Sequence, residues 1–144
     1  MSSKDVGWRT YRPWDRHSAI MMGGGVAYVA IGLNYIFDTQ PESRTEAMFY
    51  ALRIMPFTGW GIGFAIVGIL AFLSAIWPNL ERAWGYVVLT GWSAAWSSFW
   101  FAGSLLIDAK IAYITSGAVW ALLGFLWWGV SGLISPKRPK GEVP

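Results

Sequence analysis

A chain of 144 residues that is 55% hydrophobic and only 13% charged has about half the charge of an average soluble domain, roughly 25%, and its mean hydropathy of +0.42 fits a membrane protein. That length leaves room for one domain, residues 1–144, and no second module. Cysteine is absent, which excludes disulfide staples and thiolate metal sites.

The position of the charges says more than their number. The 11 basic and 8 acidic residues all fall outside four uncharged runs, Ser18 to Phe37, Ile54 to Leu80, Ala83 to Ile107 and Ile111 to Pro136. Each run matches or exceeds the roughly 20 apolar residues that carry a helix across a bilayer. The reading is an all-α integral membrane protein: a four-transmembrane-helix bundle with spans at about 18–37, 57–78, 84–107 and 112–134, and a short outer amphipathic helix.

In chain order, a basic leader with Lys4, Arg9, Arg12 and Arg16 precedes the first span. No small-residue cleavage site follows the apolar run, so the segment reads as a retained helix and not a signal peptide. Gly23-Gly24-Gly25 lets a neighbour approach this span on any face. The triplet lacks the lysine of a phosphate loop. Asn34 is the one strongly polar side chain at depth, near the span's outer end.

In the first loop, Ser43-Arg44-Thr45-Glu46 fits a capping box. Apolar residues at Ala47, Met48, Ala51, Leu52 and Met55 then give a helical stripe that Pro56 ends. The segment 44–55 is expected either to lie on the outer membrane face or to serve as a connector that caps the bundle. The second span offers a small pair, Gly61 and Ala65, and the fourth offers Gly117 and Ala121.

The third span carries Gly91-Trp92-Ser93-Ala94-Ala95-Trp96-Ser97-Ser98-Phe99-Trp100-Phe101. On a helix, positions four apart share a face. Trp92, Trp96 and Trp100 therefore form one ridge, and Thr90, Ala94, Ser98 and Ala102 a smooth one roughly opposite. Helices in lipid associate through small residues and close contact, so the smooth ridge is expected to meet another helix, of this chain or of a second copy. The tryptophan ridge, together with Trp120, Trp127 and Trp128 of the fourth span, reads as lipid-facing or inter-helix filler, with the lining of a ligand site or an aqueous lesion as the alternative. On the first of these readings Trp96 tolerates leucine. Ser93, Ser97 and Ser98 are expected to bond back to the backbone one turn earlier. Trp8, Trp14, Trp77 and Trp84 fall near span ends, with Trp60 just inside one, where indoles suit the headgroup zone. Asp108-Ala109-Lys110 is too short for more than a turn, which makes spans three and four antiparallel neighbours.

Orientation follows from the loops. The two ends and the loop holding Arg82 carry eight basic residues, against three (Arg44, Arg53, Lys110) in the other loops. The positive-inside rule then places both termini in the cytoplasm and the chain in the cytoplasmic (inner) membrane.

What the spans lack bears on function. No Asp, Glu, Lys, Arg or His lies within a run, whereas coupled transporters and pumps keep such groups for their work. The only histidine, His17, stands at the membrane edge beside Arg16 and reads as a solvated residue; paired-histidine haem ligation within one chain is excluded. No nucleophile, base and orienter assemble, so no catalytic residue, cofactor or metal is expected. The basic tails read as topology signals and lipid contacts, not as nucleic-acid binders. The expected partners are the lipid bilayer and a second copy or another membrane protein.

The order of local strings is similar to a known group. Pro13-Trp14-Asp15-Arg16-His17, the glycine-rich first span, Ala51-Leu52-Arg53-Ile54-Met55-Pro56, Trp84-Gly85-Tyr86-Val87-Val88-Leu89-Thr90-Gly91 and Gly124-Phe125-Leu126-Trp127-Trp128-Gly129-Val130-Ser131-Gly132-Leu133-Ile134 together resemble small four-span membrane proteins of actinobacterial phages, some regarded as holin-like lysis proteins. The resemblance implies a non-enzymatic protein that oligomerises in the inner membrane and permeabilises it for host cell lysis. The alternative is a membrane interaction protein, such as a superinfection exclusion factor or an accessory subunit of a larger complex. A small transporter or channel is the third reading, disfavoured by the uncharged spans.

Overall fold

The computed structural model describes residues 15–37, 48–77, 79–106 and 111–132. Within them the chain is helical, with no strand. The elements are α1 (Arg16–Phe37), α2 (Phe49–Ile54), α3 (Phe57–Ile76), α4 (Arg82–Leu106) and α5 (Ile111–Gly132). Three of them, α1, α3 and α5, are long and apolar enough to cross a membrane.

The stretch expected as the third span forms one helix, α4, 25 residues long, but its composition falls short of that apolarity. The cause is the stretch that drew notice in the sequence, since Thr90, Ser93, Ser97, Ser98, Ser104 and four tryptophans replace aliphatic side chains. Much of that polarity is spent internally. Ser93 Oγ donates to the Leu89 carbonyl at 2.8 Å, Ser98 Oγ to Ala94 at 2.8 Å, and Ser97 Oγ reaches across to the Gly117 carbonyl of α5 at 2.7 Å. Two of the three serines thus bond back as expected, and Ser97 joins two helices instead.

Two antiparallel pairs, α1 with α3 and α4 with α5, make the most extensive contacts, and α3 against α4 joins them. The first pair is seamed by glycines. A Cβ built on Gly25 would stand 2.6 Å from the Gly68 carbonyl oxygen, and one on Gly68 would stand 2.5 Å from that of Gly25. One heptad along, Gly32 and Gly61 repeat the relation at 2.5 and 2.6 Å. Only glycine permits backbones this close, and such approach is the geometry in which Cα–H···O contacts recur between helices. Ala65 fills the space between the two contacts, its Cβ being 3.2 Å from where a Gly32 Cβ would stand.

The short helix α2 covers one end of the bundle. Its six residues fall within the expected segment 44–55, of which 44–47 and the capping box Ser43 to Glu46 lie outside the described residues; Met48 at the N-cap makes no side-chain cap bond. Of the expected stripe, Met48 and Ala51 are buried and Leu52 and Met55 pack against the core. Met55 is extended and Pro56 stands at the N-cap of α3, so the chain turns directly from one helix into the next. The turn 108–110, Trp8, Trp14 and the basic ends lie outside the described residues.

Candidate functional site

Between the two helix pairs lies a core made of rings. Phe64 of α3, fully buried, is its hub. Tyr28 and Tyr35 of α1 lie 5.7 Å from it, Trp92 and Trp96 of α4 stand nearly perpendicular to it at 5.5 and 5.1 Å, and Trp120 of α5 is 5.5 Å away. Trp60, one turn before Phe64 on the same face, packs on Trp92, Trp96 and Phe99.

Trp96 is 1% exposed, so the expectation that it tolerates leucine is corrected. It occupies the centre of the bundle because the ridge Trp92/Trp96/Trp100 faces α3 and α1. The face 100° round, Ser93 and Ser97, meets α5, and the smooth ridge runs along the edge of that contact, part covered by α5 and part exposed. Trp60, read as an indole just inside a span end, is buried within the protein, and its indole donates to the Ala51 carbonyl at 2.9 Å, tying α2 to the core. Trp77 and Trp84 are exposed near helix ends, 54% and 59%. Trp128 is exposed as well, whereas Trp120 and Trp127 pack inward.

Polar groups inside this core are few. Tyr28 Oη is hydrogen-bonded to Ser93 Oγ and lies 3.4 Å from the Leu89 carbonyl, which binds α1 to α4. The buried indole N–H groups of Trp92 and Trp96 have no hydrogen-bond acceptor among the described residues. They sit among perpendicular rings, the arrangement in which an edge meets a π face.

The small residues divide into two sets. Gly61 and Ala65 face α1 in the glycine seam. A Cβ on Gly117 would stand 3.1 Å from the Phe101 ring, and one on Gly124 would stand 3.2 Å from Ser93 Cβ and 3.5 Å from the Thr90 carbonyl oxygen. On the smooth ridge, Thr90 and Ala102 are half-buried while Ala94 and Ser98 are exposed, and Ala121 is exposed beside them on α5. Thr90, Ala94, Ser97, Ala121, Gly124, Phe125 and Trp128 together line a shallow open groove.

At the end opposite α2 a polar clasp was not foreseen. Asp15 caps α1 by accepting from the Ser18 amide at 2.8 Å, and pairs with Arg82 at the start of α4. Ser18 Oγ donates to the Ala75 carbonyl of α3 at 3.2 Å. Partial burial pushes the Asp15 carboxyl up, but the Ser18 amide and the Arg82 guanidinium outweigh it and hold its pKa below the ordinary value. His17, expected to be solvated, instead places Nδ1 3.2 Å from the buried Tyr86 hydroxyl. The local signal for the cap was available, an Asp three residues ahead of the uncharged run that opens at Ser18.

Among the described residues no cluster of His, Cys, Asp or Glu could hold a metal ion. The arrangement is therefore one of packing: an all-helical protein with three helices able to span a membrane, a glycine seam and an aromatic core. No protein-family model, curated protein or solved structure matches this chain.

Proposed function

We propose that the protein is a four-span, non-enzymatic integral membrane protein of the holin-like kind, which associates with copies of itself in the inner membrane and permeabilises it. The observation that carries this reading is the exposed small-residue ridge, Ala94 and Ser98 with Ala121 beside them, next to large exposed apolar side chains such as Ile114, Leu122, Phe125 and Trp128. The ring-filled centre supports a path formed between copies instead of through one chain. Inclusion of α4 as the fourth span is supported by its length, about 37 Å at 1.5 Å per residue, and by the pairing of its serines. The eight-to-three bias of basic residues supports cytoplasmic termini.

The test is induced expression in a bacterial host beside an endolysin that lacks a signal sequence. The natural sequence collapses the membrane potential after a delay and releases the enzyme. The double change Ala94→Leu/Ser98→Leu, on positions the bundle leaves exposed, delays or abolishes that event while the protein still inserts. Accumulation without loss of potential refutes the holin-like reading in favour of the other, a membrane interaction protein or accessory subunit. That reading is favoured by α5, whose buried residues are only Gly117 and Gly124.

A further inference from the structure

Polar contacts join α1 to α4 at three levels between mid-bundle and the end away from α2. At the mouth, Arg82 donates to the Asp15 carboxylate and, at 3.3 Å, to Ser18 Oγ, while Ser18 Oγ donates to the Ala75 carbonyl of α3 at 3.2 Å. One turn further in, His17 Nδ1 stands 3.2 Å from the Tyr86 hydroxyl across the same seam. Deepest, Tyr28 Oη is bonded to Ser93 Oγ and lies 3.4 Å from the Leu89 carbonyl. Arg82, Tyr86, Leu89 and Ser93 follow one another in steps of four, three and four, so they share one face of α4. From Arg82 to Ser93 that face covers about 17 Å at 1.5 Å per residue, roughly half of a 30 Å hydrocarbon core.

The seam is closed, since Met21, Tyr28, Tyr86, Leu89 and Ser93 are all at most 1% exposed, but it is built differently from the packing on either side. Within each helix pair the backbones meet at glycines: Gly25 with Gly68 and Gly32 with Gly61 in one, Gly124 against Thr90 in the other, where Ser97 also holds the Gly117 carbonyl. Backbones in contact leave water no place to enter. A hydroxyl or a charge, by contrast, exchanges its partner for water at a small net cost, and local opening draws on such bonds first. The direct contact of α1 with α4 is also far less extensive than that within either pair. The polar seam is therefore the line along which the two pairs part most easily. A gap there is blind, because past Ser93 the rings of Phe64 and Trp96 fill the centre, with Tyr35 edge-on to Trp96 at 5.6 Å.

We propose that Asp15, Ser18 and Arg82 form a latch on this seam. When the latch parts, the seam opens to water from the end away from α2 as far as Tyr28 and Ser93, and the α1–α3 and α4–α5 pairs stay whole. The device rests on the proposed membrane reading and gives it a closed resting state.

The chain has no cysteine, so single ones report the arrival of water. Ser93→Cys and Leu89→Cys, each at a position 0% exposed, are placed in the full chain in nanodiscs and treated with a small water-soluble methanethiosulfonate. A thiol reacts as its thiolate, which apolar burial suppresses, and when closing outpaces labelling the rate follows the open population. Arg82→Gln raises the rate at both reporters by about twofold to tenfold, the effect of an exposed ion pair and one hydrogen bond. Asp15→Arg also raises it, and the swap Asp15→Arg/Arg82→Asp, which restores the pair, labels more slowly than Asp15→Arg alone. Leu89→Cys keeps the Tyr28–Ser93 bond and decides the matter if Ser93→Cys fails to fold. Ala51→Cys, buried in α2 at the other end, keeps its rate throughout. An unchanged rate at Leu89→Cys in Arg82→Gln, a swap no slower than Asp15→Arg, or an equal rise at Ala51→Cys overturns the latch alone. Failure of the natural chain to enter the nanodisc overturns the membrane reading and the latch with it.

Discussion

Consider the substitution of Gly25 by alanine. The added methyl would lie 2.6 Å from the Gly68 carbonyl oxygen and 3.0 Å from the Phe72 amide nitrogen. Both are backbone atoms, so no side chain can swing away, and the α1 and α3 axes must separate. Real Cβ atoms essentially never come closer than 3.0 Å, which sets the minimum retreat at about 0.4 Å here, repeated with loss of contact along the seam. Overpacking of this kind costs about 1–3 kcal/mol, or roughly 2–12 °C in melting temperature for a chain of this size. Gly23→Ala is the control: two residues earlier on the same helix, its Cβ would meet nothing within 4 Å, and the better helix propensity of alanine makes it neutral or stabilising by up to about 1 kcal/mol. Gly25→Ala and Gly68→Ala press on the same contact, so their double variant is non-additive. Gly25→Ala with Gly61→Ala touches contacts one heptad apart, about 10 Å, and adds. Thermal unfolding of the purified protein in one fixed detergent, followed by near-ultraviolet circular dichroism, reads the four singles and the two doubles. The reasoning fails if Gly25→Ala melts with Gly23→Ala.

Three further outcomes are expected. Trp96→Leu, which opens a void among Phe64, Trp60 and Tyr35, destabilises by about 2–4 kcal/mol and flattens the near-ultraviolet dichroism in the same melt. Ser97→Ala, which frees the Gly117 carbonyl, costs about 0.5–1.5 kcal/mol, whereas Ser98→Ala, whose bond lies within an exposed turn, changes the melting temperature little; equal effects would show that the inter-helix bond carries nothing. For Asp15 the folded carboxyl titrates below its unfolded value, so its contribution is present above the unfolded pKa, near 4, and is lost as pH falls through the lower folded one. With the side chain 41% exposed that contribution is small, about 0–1 kcal/mol; a melt series from pH 6 to pH 2 shows it disappearing in the natural sequence and absent throughout in Asp15→Asn.

The helices were legible in the sequence because charge exclusion marks them directly, and Met48, Ala51, Leu52 and Met55 were legible as a stripe by their period. The glycine seam was visible but differently spaced. Gly61 and Ala65 were noticed as a pair four apart, while the contact uses Gly25 with Gly32 and Gly61 with Gly68, seven apart on each of two neighbouring spans. Trp96 was misjudged because large and small ridges on one helix do not say which faces the centre. That depends on whether α3 or α5 lies on a given side, which is a property of the whole bundle. The clasp of Asp15, Ser18 and Arg82 joins residues 67 positions apart, and no local pattern relates them.

Whether α4 crosses the membrane decides the account most directly, and the cysteine-free chain allows single cysteines to report it. Asn79 and Ile111 are both exposed, at the turn before α4 and at the start of α5. In intact cells a membrane-impermeant maleimide labels Ile111→Cys, and labels Asn79→Cys only after the membrane is opened. Equal labelling of the two before opening would place both ends of α4 on one side and contradict the four-span bundle.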